Sequence, residues 1–191
     1  MPDEEQLIIA LGFWDVVTED PIFPLSPDEK KVFDFMYGRV GKVALKGIPL
    51  SQRNISQFIK SNGWFLIFEE AGAENMVEGF EKTINRLRES LPGVRIGLAV
   101  NDIIYLDRVL KTVGIYDKLN FVLNSALINC EFPEPGYIKE LKSKAGEGRI
   151  LMVNDFCGMQ KFIPGIEIVH YDKRLTKTGL YETIMEYLHL I

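Results

Sequence analysis

The sequence contains few cysteines and no long hydrophobic run. Its 191 residues include two cysteines, Cys130 and Cys157, which form neither a disulfide framework nor a metal-type spacing, so we interpret both as reduced thiols. No apolar stretch approaches membrane-spanning length, and the chain opens on Asp3, Glu4 and Glu5 where a signal peptide would be basic. These absences predict a cytoplasmic protein without a membrane partner.

An excess of basic charge is also lacking. The chain carries 22 lysines and arginines against 27 aspartates and glutamates, a net charge of −5. Nucleic-acid phosphates are bound by a basic stripe or patch, and none is visible, so we predict no nucleic-acid partner. The 47% hydrophobic and 26% charged residues are ordinary for a globular protein of this length. A homo-oligomer is compatible with this composition.

Five short apolar runs predict the strands of a parallel sheet. Each run is too short for a buried helix and is typical of a strand that is covered on both faces. The runs occupy residues 7–13, 94–100, 121–123, 150–153 and 166–169. Stripes of apolar residues at helical spacing alternate with them. The alternation predicts an α/β protein with a Rossmann-like, doubly wound parallel sheet of about five strands and helices on both faces.

A segment of helical character separates the first strand from the rest. Ser26 can cap a helix that starts with Pro27, and apolar residues at helical spacing follow until Gly47 and Pro49 interrupt the pattern. We predict that residues 1–21 and 76–191 form the α/β core domain. Residues 22–75 are predicted to form a small helical cap, inserted after the first strand and placed over the carboxyl edge of the sheet.

Polar residues follow the predicted strands at their carboxyl ends. Asp15 comes after the first strand, Asn101 after the second, and Asn154 and Asp155 after the fourth, while a loop at residues 131–136 follows the third. The carboxyl ends of parallel strands meet at one edge, and ligands of doubly wound sheets bind there. We therefore expect any ligand site of this protein at that edge.

The same residues resemble the motifs of the haloacid dehalogenase-like (HAD-like) hydrolases that carry a helical cap after the first strand. That family's first motif is an apolar strand followed by Asp-x-Asp, and the segment from Phe13 through Trp14 to Asp15 is similar in place and spacing. In this register the resemblance gives Asp15 the role of the family's general acid/base. Phe13 then stands at the position of the nucleophile.

The three later motifs are similar in position but altered in chemistry. Asn101 matches the asparagine of the second motif, Ser/Thr-Asn, while Val100 replaces the hydroxyl residue. Phe132 stands where the third motif has a lysine before Pro-x-Pro. Asn154 and Asp155 match the Gly-Asp of the fourth motif, without the second acid that should follow within a few residues. The resemblance thus covers the architecture of the whole chain but few of the catalytic positions.

These replacements predict a protein that does not catalyse the family's reaction. Covalent phosphoryl transfer needs a carboxylate nucleophile, a cation and a metal held by oxygen ligands, and neither phenylalanine nor valine supplies any of these. We predict a non-catalytic binding or regulatory protein without a cofactor, whose partner is a protein or a small molecule. Its predicted ligand pocket is lined by Phe13, Trp14, Asn101, Phe132, Asn154 and Asp155.

The alternative is a magnesium-dependent HAD-like phosphatase or hydrolase. In that protein Asp15 is catalytic in a non-standard register and Asp155 binds the metal, although Val17 then stands at the acid/base position and the lysine is still missing. Each candidate also has an ordinary structural interpretation. Aspartates at strand ends often cap turns, and the aromatic side chains of Phe13 and Phe132 could fill the old pocket.

Overall fold

The structure of the protein is a computed structural model, and it describes residues 6–13, 16, 80–101, 106–112, 114–155, 162–172 and 176–190. The predicted cap at residues 22–75 lies outside this part of the chain. So do Trp14, Asp15 and Cys157, whereas Cys130 is described and is a free thiol.

Five parallel strands form one sheet, which confirms the predicted α/β, Rossmann-like fold. The strands are β1 (Leu7–Leu11), β2 (Arg95–Val100), β3 (Phe121–Asn124), β4 (Arg149–Asn154) and β5 (Ile166–His170). Their order across the sheet is β3-β2-β1-β4-β5, with β1 at the centre. Residues 8–11 of β1 have no exposed area. A central strand covered on both faces needs apolar side chains at every position, which explains its unbroken apolar run.

Five helices and one 3-10 turn are described. The helices are α1 (Phe80–Ser90), α2 (Leu106–Thr112), α3 (Ser125–Ile128), α4 (Pro135–Ala145) and α5 (Leu180–Tyr187), and the 3-10 turn is Tyr116–Lys118. Four of the helices lie where apolar stripes predict them. The 3-10 turn and α3 were not predicted, because a single turn is too short to show a helical period. In the described part of the chain no helix combines the length and the apolarity needed to cross a membrane.

The last helix is shorter than its apolar stripe predicts. In the sequence, apolar residues recur at helical spacing at Leu180, Ile184, Leu188 and Ile191, which predicts a helix to the end of the chain, but α5 ends at Tyr187. His189 has a φ of 56°, in the left-handed region that ends many helices, and Leu190 is exposed. Leu190 therefore lies beyond the end of the helix and is not buried.

The helices pack on the sheet in two layers. The first layer joins α1, α2 and α5 to one face of the sheet, with Ile84, Leu110 and Ile184 among its fully or almost fully buried side chains. The second layer joins α4 to the other face, where Tyr137 and Leu141 have no exposed area. In the part of the chain that the structure describes, helices thus cover both faces of the sheet.

Candidate functional site

The five strands run in the same direction, so their carboxyl ends meet on one side of the sheet, which we call the carboxyl edge. The residues that follow the strands there come from different parts of the chain. They are Gly12 and Phe13 after β1, Asn101 after β2, Ser125 after β3, Asp155 after β4, and Tyr171 and Asp172 after β5.

Asn101 and Phe132, which come from separate motifs, are brought into contact. The side-chain Oδ1 of Asn101 accepts a hydrogen bond from the Phe132 N–H at 2.8 Å, and its Nδ2 donates to the Phe132 carbonyl at 3.1 Å. One side-chain amide thus satisfies both backbone polar groups of a loop residue. The contact places the loop at residues 131–136 beside the end of β2.

The side chain of Phe132 belongs to the core. It is 2% exposed and packs in the second layer, edge to face with Tyr137, at 5.8 Å between ring centroids. Tyr137 in turn donates a hydrogen bond to the Val100 carbonyl at 3.2 Å. Burial raises the pKa of the Tyr137 phenol far above its ordinary value, because the ionised form would lose its hydration. Phe132 therefore occupies a closed apolar environment.

Phe13 is also buried, but in the other layer. Its side chain is 2% exposed and packs in the first layer, which also contains Leu11 and Val16. The two aromatic residues that the resemblance places at the positions of the nucleophile and the lysine thus lie in different layers. Both side chains are therefore core residues.

Asn154, like Asn101, forms a side-chain hydrogen bond with the backbone. It is 5% exposed, and its Oδ1 accepts a hydrogen bond from the Asp155 N–H at 2.8 Å. Its side chain also lies so close to Gly12 that a Cβ added there would come within 3.0 Å of it. The Gly12 N–H donates to the Val153 carbonyl at 2.7 Å. Asn154 therefore fixes the turn after β4, and Asp155 follows it in a half-buried position.

Three buried polar residues at the same edge were missed by the sequence analysis. Asn124 ends β3, Ser125 follows it, and Asp172 lies just beyond β5; all three are almost fully buried. The signal that could have found them is the one that identified Asn101, a polar residue directly after an apolar strand. Asn124 and Ser125 directly follow the predicted strand that ends at Leu123, whereas His170 and Tyr171 separate Asp172 from the predicted strand that ends at Val169.

The described residues do not by themselves make a magnesium site. No group of three or more His, Cys, Asp or Glu side chains able to hold a metal occurs among them, and they do not include Asp15. Asp155 and Asp172 follow neighbouring strands at the carboxyl edge. Magnesium requires a near-octahedral set of oxygen ligands, so two carboxylates would leave most of the coordination to water or a ligand.

No family model matches the chain, and no curated protein does. Solved structures are similar over nearly the whole length. One is a HAD-hydrolase, YfnB from Bacillus subtilis, with magnesium bound: the TM-score is 0.57 and the identity 11%, over 97% of this chain and 99% of that chain. A HAD-like family hydrolase from Porphyromonas gingivalis gives 0.53 and 14%, over 96% and 98%. A HAD phosphatase from Thermococcus onnurineus gives 0.51 and 15%, over 96% and 97%. Identities this low show a shared fold and nothing about the chemistry.

Proposed function

We propose that this chain, which has the haloacid dehalogenase-like fold, has lost phosphohydrolase activity and serves as a non-catalytic binding or regulatory protein. The observation that carries the proposal is the burial of Phe132. Its ring is 2% exposed and packs on Tyr137, and its backbone is held by Asn101. A lysine at this position would neutralise negative charge at the edge, whereas the phenylalanine is part of the core.

The position of the nucleophile supports the same proposal. A nucleophile must reach the group that it attacks, and the Phe13 ring is instead packed into the first layer. Val100, at the position of the motif's hydroxyl, is also buried and carries no polar atom in its side chain. Losing one group that stabilises the transition-state charge typically costs ~3–4 kcal/mol of activation free energy, and three positions are altered here. The residual rate should be near that of the uncatalysed reaction.

The proposed binding site is the carboxyl edge, and the proposed partner is a protein or a small molecule. Without a lysine at 132 and a carboxylate at 13, the edge has lost the groups that would select a phosphate and metal ligand. The protein then needs no cofactor. We also propose that it acts in the cytoplasm.

The direct test is a hydrolysis assay with p-nitrophenyl phosphate and millimolar magnesium. We expect the purified protein to give no product above the protein-free control. The matched variant is Asp15→Asn, with folding checked by circular dichroism. Magnesium-dependent turnover that this variant abolishes while it stays folded would contradict the proposal and establish the phosphatase alternative.

A gain-of-function series shows whether the three replacements are the cause. Phe13→Asp alone should stay inactive, because a carboxyl group at this buried position, without a lysine to balance its charge, has a raised pKa and stays partly protonated. The combination of Phe13→Asp, Val100→Thr and Phe132→Lys restores nucleophile, hydroxyl and cation together. Turnover in this variant, with the folding check passed, would show that the three replacements caused the loss of activity.

A further inference from the structure

The loop that carries Phe132 is closed on itself by two hydrogen bonds. The Glu134 N–H donates to the Glu131 carbonyl at 2.7 Å, and the Glu131 N–H donates to the Glu134 Oε2 at 3.1 Å. The turn at residues 131–134 leads directly into α4, which begins at Pro135. Two hydrogen bonds within the turn therefore hold its backbone, in addition to its contacts with the sheet.

Three further hydrogen bonds tie this turn and α4 to the end of β2. Two are the bonds between the Asn101 amide and the backbone of Phe132, and the third runs from the Tyr137 hydroxyl to the Val100 carbonyl. They involve adjacent residues at the end of β2 and one short stretch of chain. Such a network fixes one arrangement because each broken bond would leave a buried or half-buried polar group unsatisfied.

Asparagine suits position 101 for a chemical reason. Its amide offers one acceptor and one donor, the complement of the N–H and carbonyl of a single peptide residue. Aspartate would keep the acceptor for the Phe132 N–H and lose the donor, and alanine would lose both. The residue after Phe132 is Pro133, which has no N–H, so the backbone of Phe132 itself must supply the donor in this contact.

We propose that Asn101 is a positioning residue. It holds the backbone of Phe132 and thereby keeps the Phe132 ring packed on Tyr137, which closes the carboxyl edge at this point. This inference rests on the proposed non-catalytic role, in which a closed edge at Phe132 determines what can bind. Asn101 would then shape the edge through the backbone of Phe132.

The test is amide hydrogen exchange by NMR, with a second asparagine as the matched control. At the other end of β2, the Ile96 N–H donates to Oδ1 of Asn120 at 2.8 Å. In Asn101→Ala we expect the Phe132 amide to exchange about tenfold faster or more, as for the loss of one hydrogen bond in a locally opening segment, while Ile96 is unchanged. Asn120→Ala should give the reverse pattern.

Two further observations separate positioning from a general loss of stability. Nuclear Overhauser contacts between the Phe132 and Tyr137 rings should weaken in Asn101→Ala and stay intact in Asn120→Ala. Asn101→Asp retains the acceptor, so it should preserve most of the protection of the Phe132 amide. If Asn101→Ala does not fold, Asn101→Leu, an apolar side chain of similar size, takes its place with the same expected results, and unchanged protection of the Phe132 amide in it overturns the inference.

Unchanged protection of Phe132 in Asn101→Ala, or equal acceleration in both alanine variants, would also overturn it. A failure of the proposed function is distinguishable from these results. Turnover of p-nitrophenyl phosphate by the wild-type protein would refute the non-catalytic role, whatever the exchange pattern.

Discussion

At the scale of single residues, the burial of Phe132 determines the cost of changing it. Phe132→Ala should lower the free energy of unfolding by ~3–5 kcal/mol, the usual range for a fully buried phenylalanine. The matched control is Phe162→Ala, because the Phe162 side chain is 90% exposed. That change should stay within ~0.5 kcal/mol. Urea unfolding measures both, and similar losses in the two variants would contradict the burial of Phe132.

Because Tyr137 is buried, we expect the free energy of unfolding to depend on pH in alkaline solution. Burial raises its pKa above that of the unfolded chain, so its contribution to stability is complete below about pH 10 and is lost as the pH rises further. Tyr137→Phe removes the hydrogen bond to Val100 and should cost ~1 kcal/mol at neutral pH.

Above about pH 10 the wild type should lose ~1.4 kcal/mol per pH unit that the Phe variant does not lose. The stability curves of the wild type and the Phe variant should therefore meet about one pH unit above pH 10. Tyr171 and Tyr187 also have raised pKa values, but they are present in both proteins and cancel in the difference. Parallel curves up to pH 12, measured by urea unfolding, would show that Tyr137 is not shielded from ionisation.

At the scale of elements, β4 and β5 are joined by an ion pair on the surface. Arg149 donates to both carboxylate oxygens of Glu167, at 2.6 and 2.7 Å, and the Tyr187 hydroxyl donates to Oε2 at 3.1 Å. The hydrogen bond from Arg149 is the main reason why the pKa of Glu167 is lowered. A lowered pKa means stability that is present above the unfolded value and is lost as the pH falls.

Glu167→Gln should therefore destabilise the protein at pH 7 and not in acid. Because the pair is largely exposed to solvent, the loss at pH 7 should stay below ~1 kcal/mol. It should shrink as the pH falls below the ordinary glutamate pKa, and disappear once the carboxylate is protonated in the folded protein as well. Glu140→Gln, an exposed position on α4, is the control. A loss that does not shrink as the pH falls would show that the ion pair is not its cause.

At the scale of the whole molecule, magnesium should not stabilise the fold. A ligand of the native state contributes RT ln(1 + [L]/Kd), which is close to zero when the Kd far exceeds the concentration. Millimolar magnesium should leave the melting temperature unchanged, both in the wild type and in Asp155→Asn. A clear rise in the wild type that is absent from Asp155→Asn would establish a metal site and favour the phosphatase alternative.

The sequence by itself determined the class of the fold. Apolar runs too short for helices, separated by stripes of helical period, are local patterns, and each reports the burial of one element. The direction of parallel strands then places Asn101, the loop at 131–136 and Asp155 at one edge without any knowledge of packing. The single-turn α3 and the early end of α5 were missed, because a stretch of only a few residues is too short to show whether its apolar side chains recur at helical spacing.

Only the tertiary structure decided what the side chains at that edge do. Asn101 and Asn154 were both predicted to line a ligand pocket, and both use their amides to hold backbone groups. Phe13 and Phe132 were expected at one pocket and pack in different layers. The strand order, with β1 between β2 and β4, was likewise absent from the sequence analysis. Contacts between residues distant in the chain depend on how all the elements pack together, and no local pattern records them.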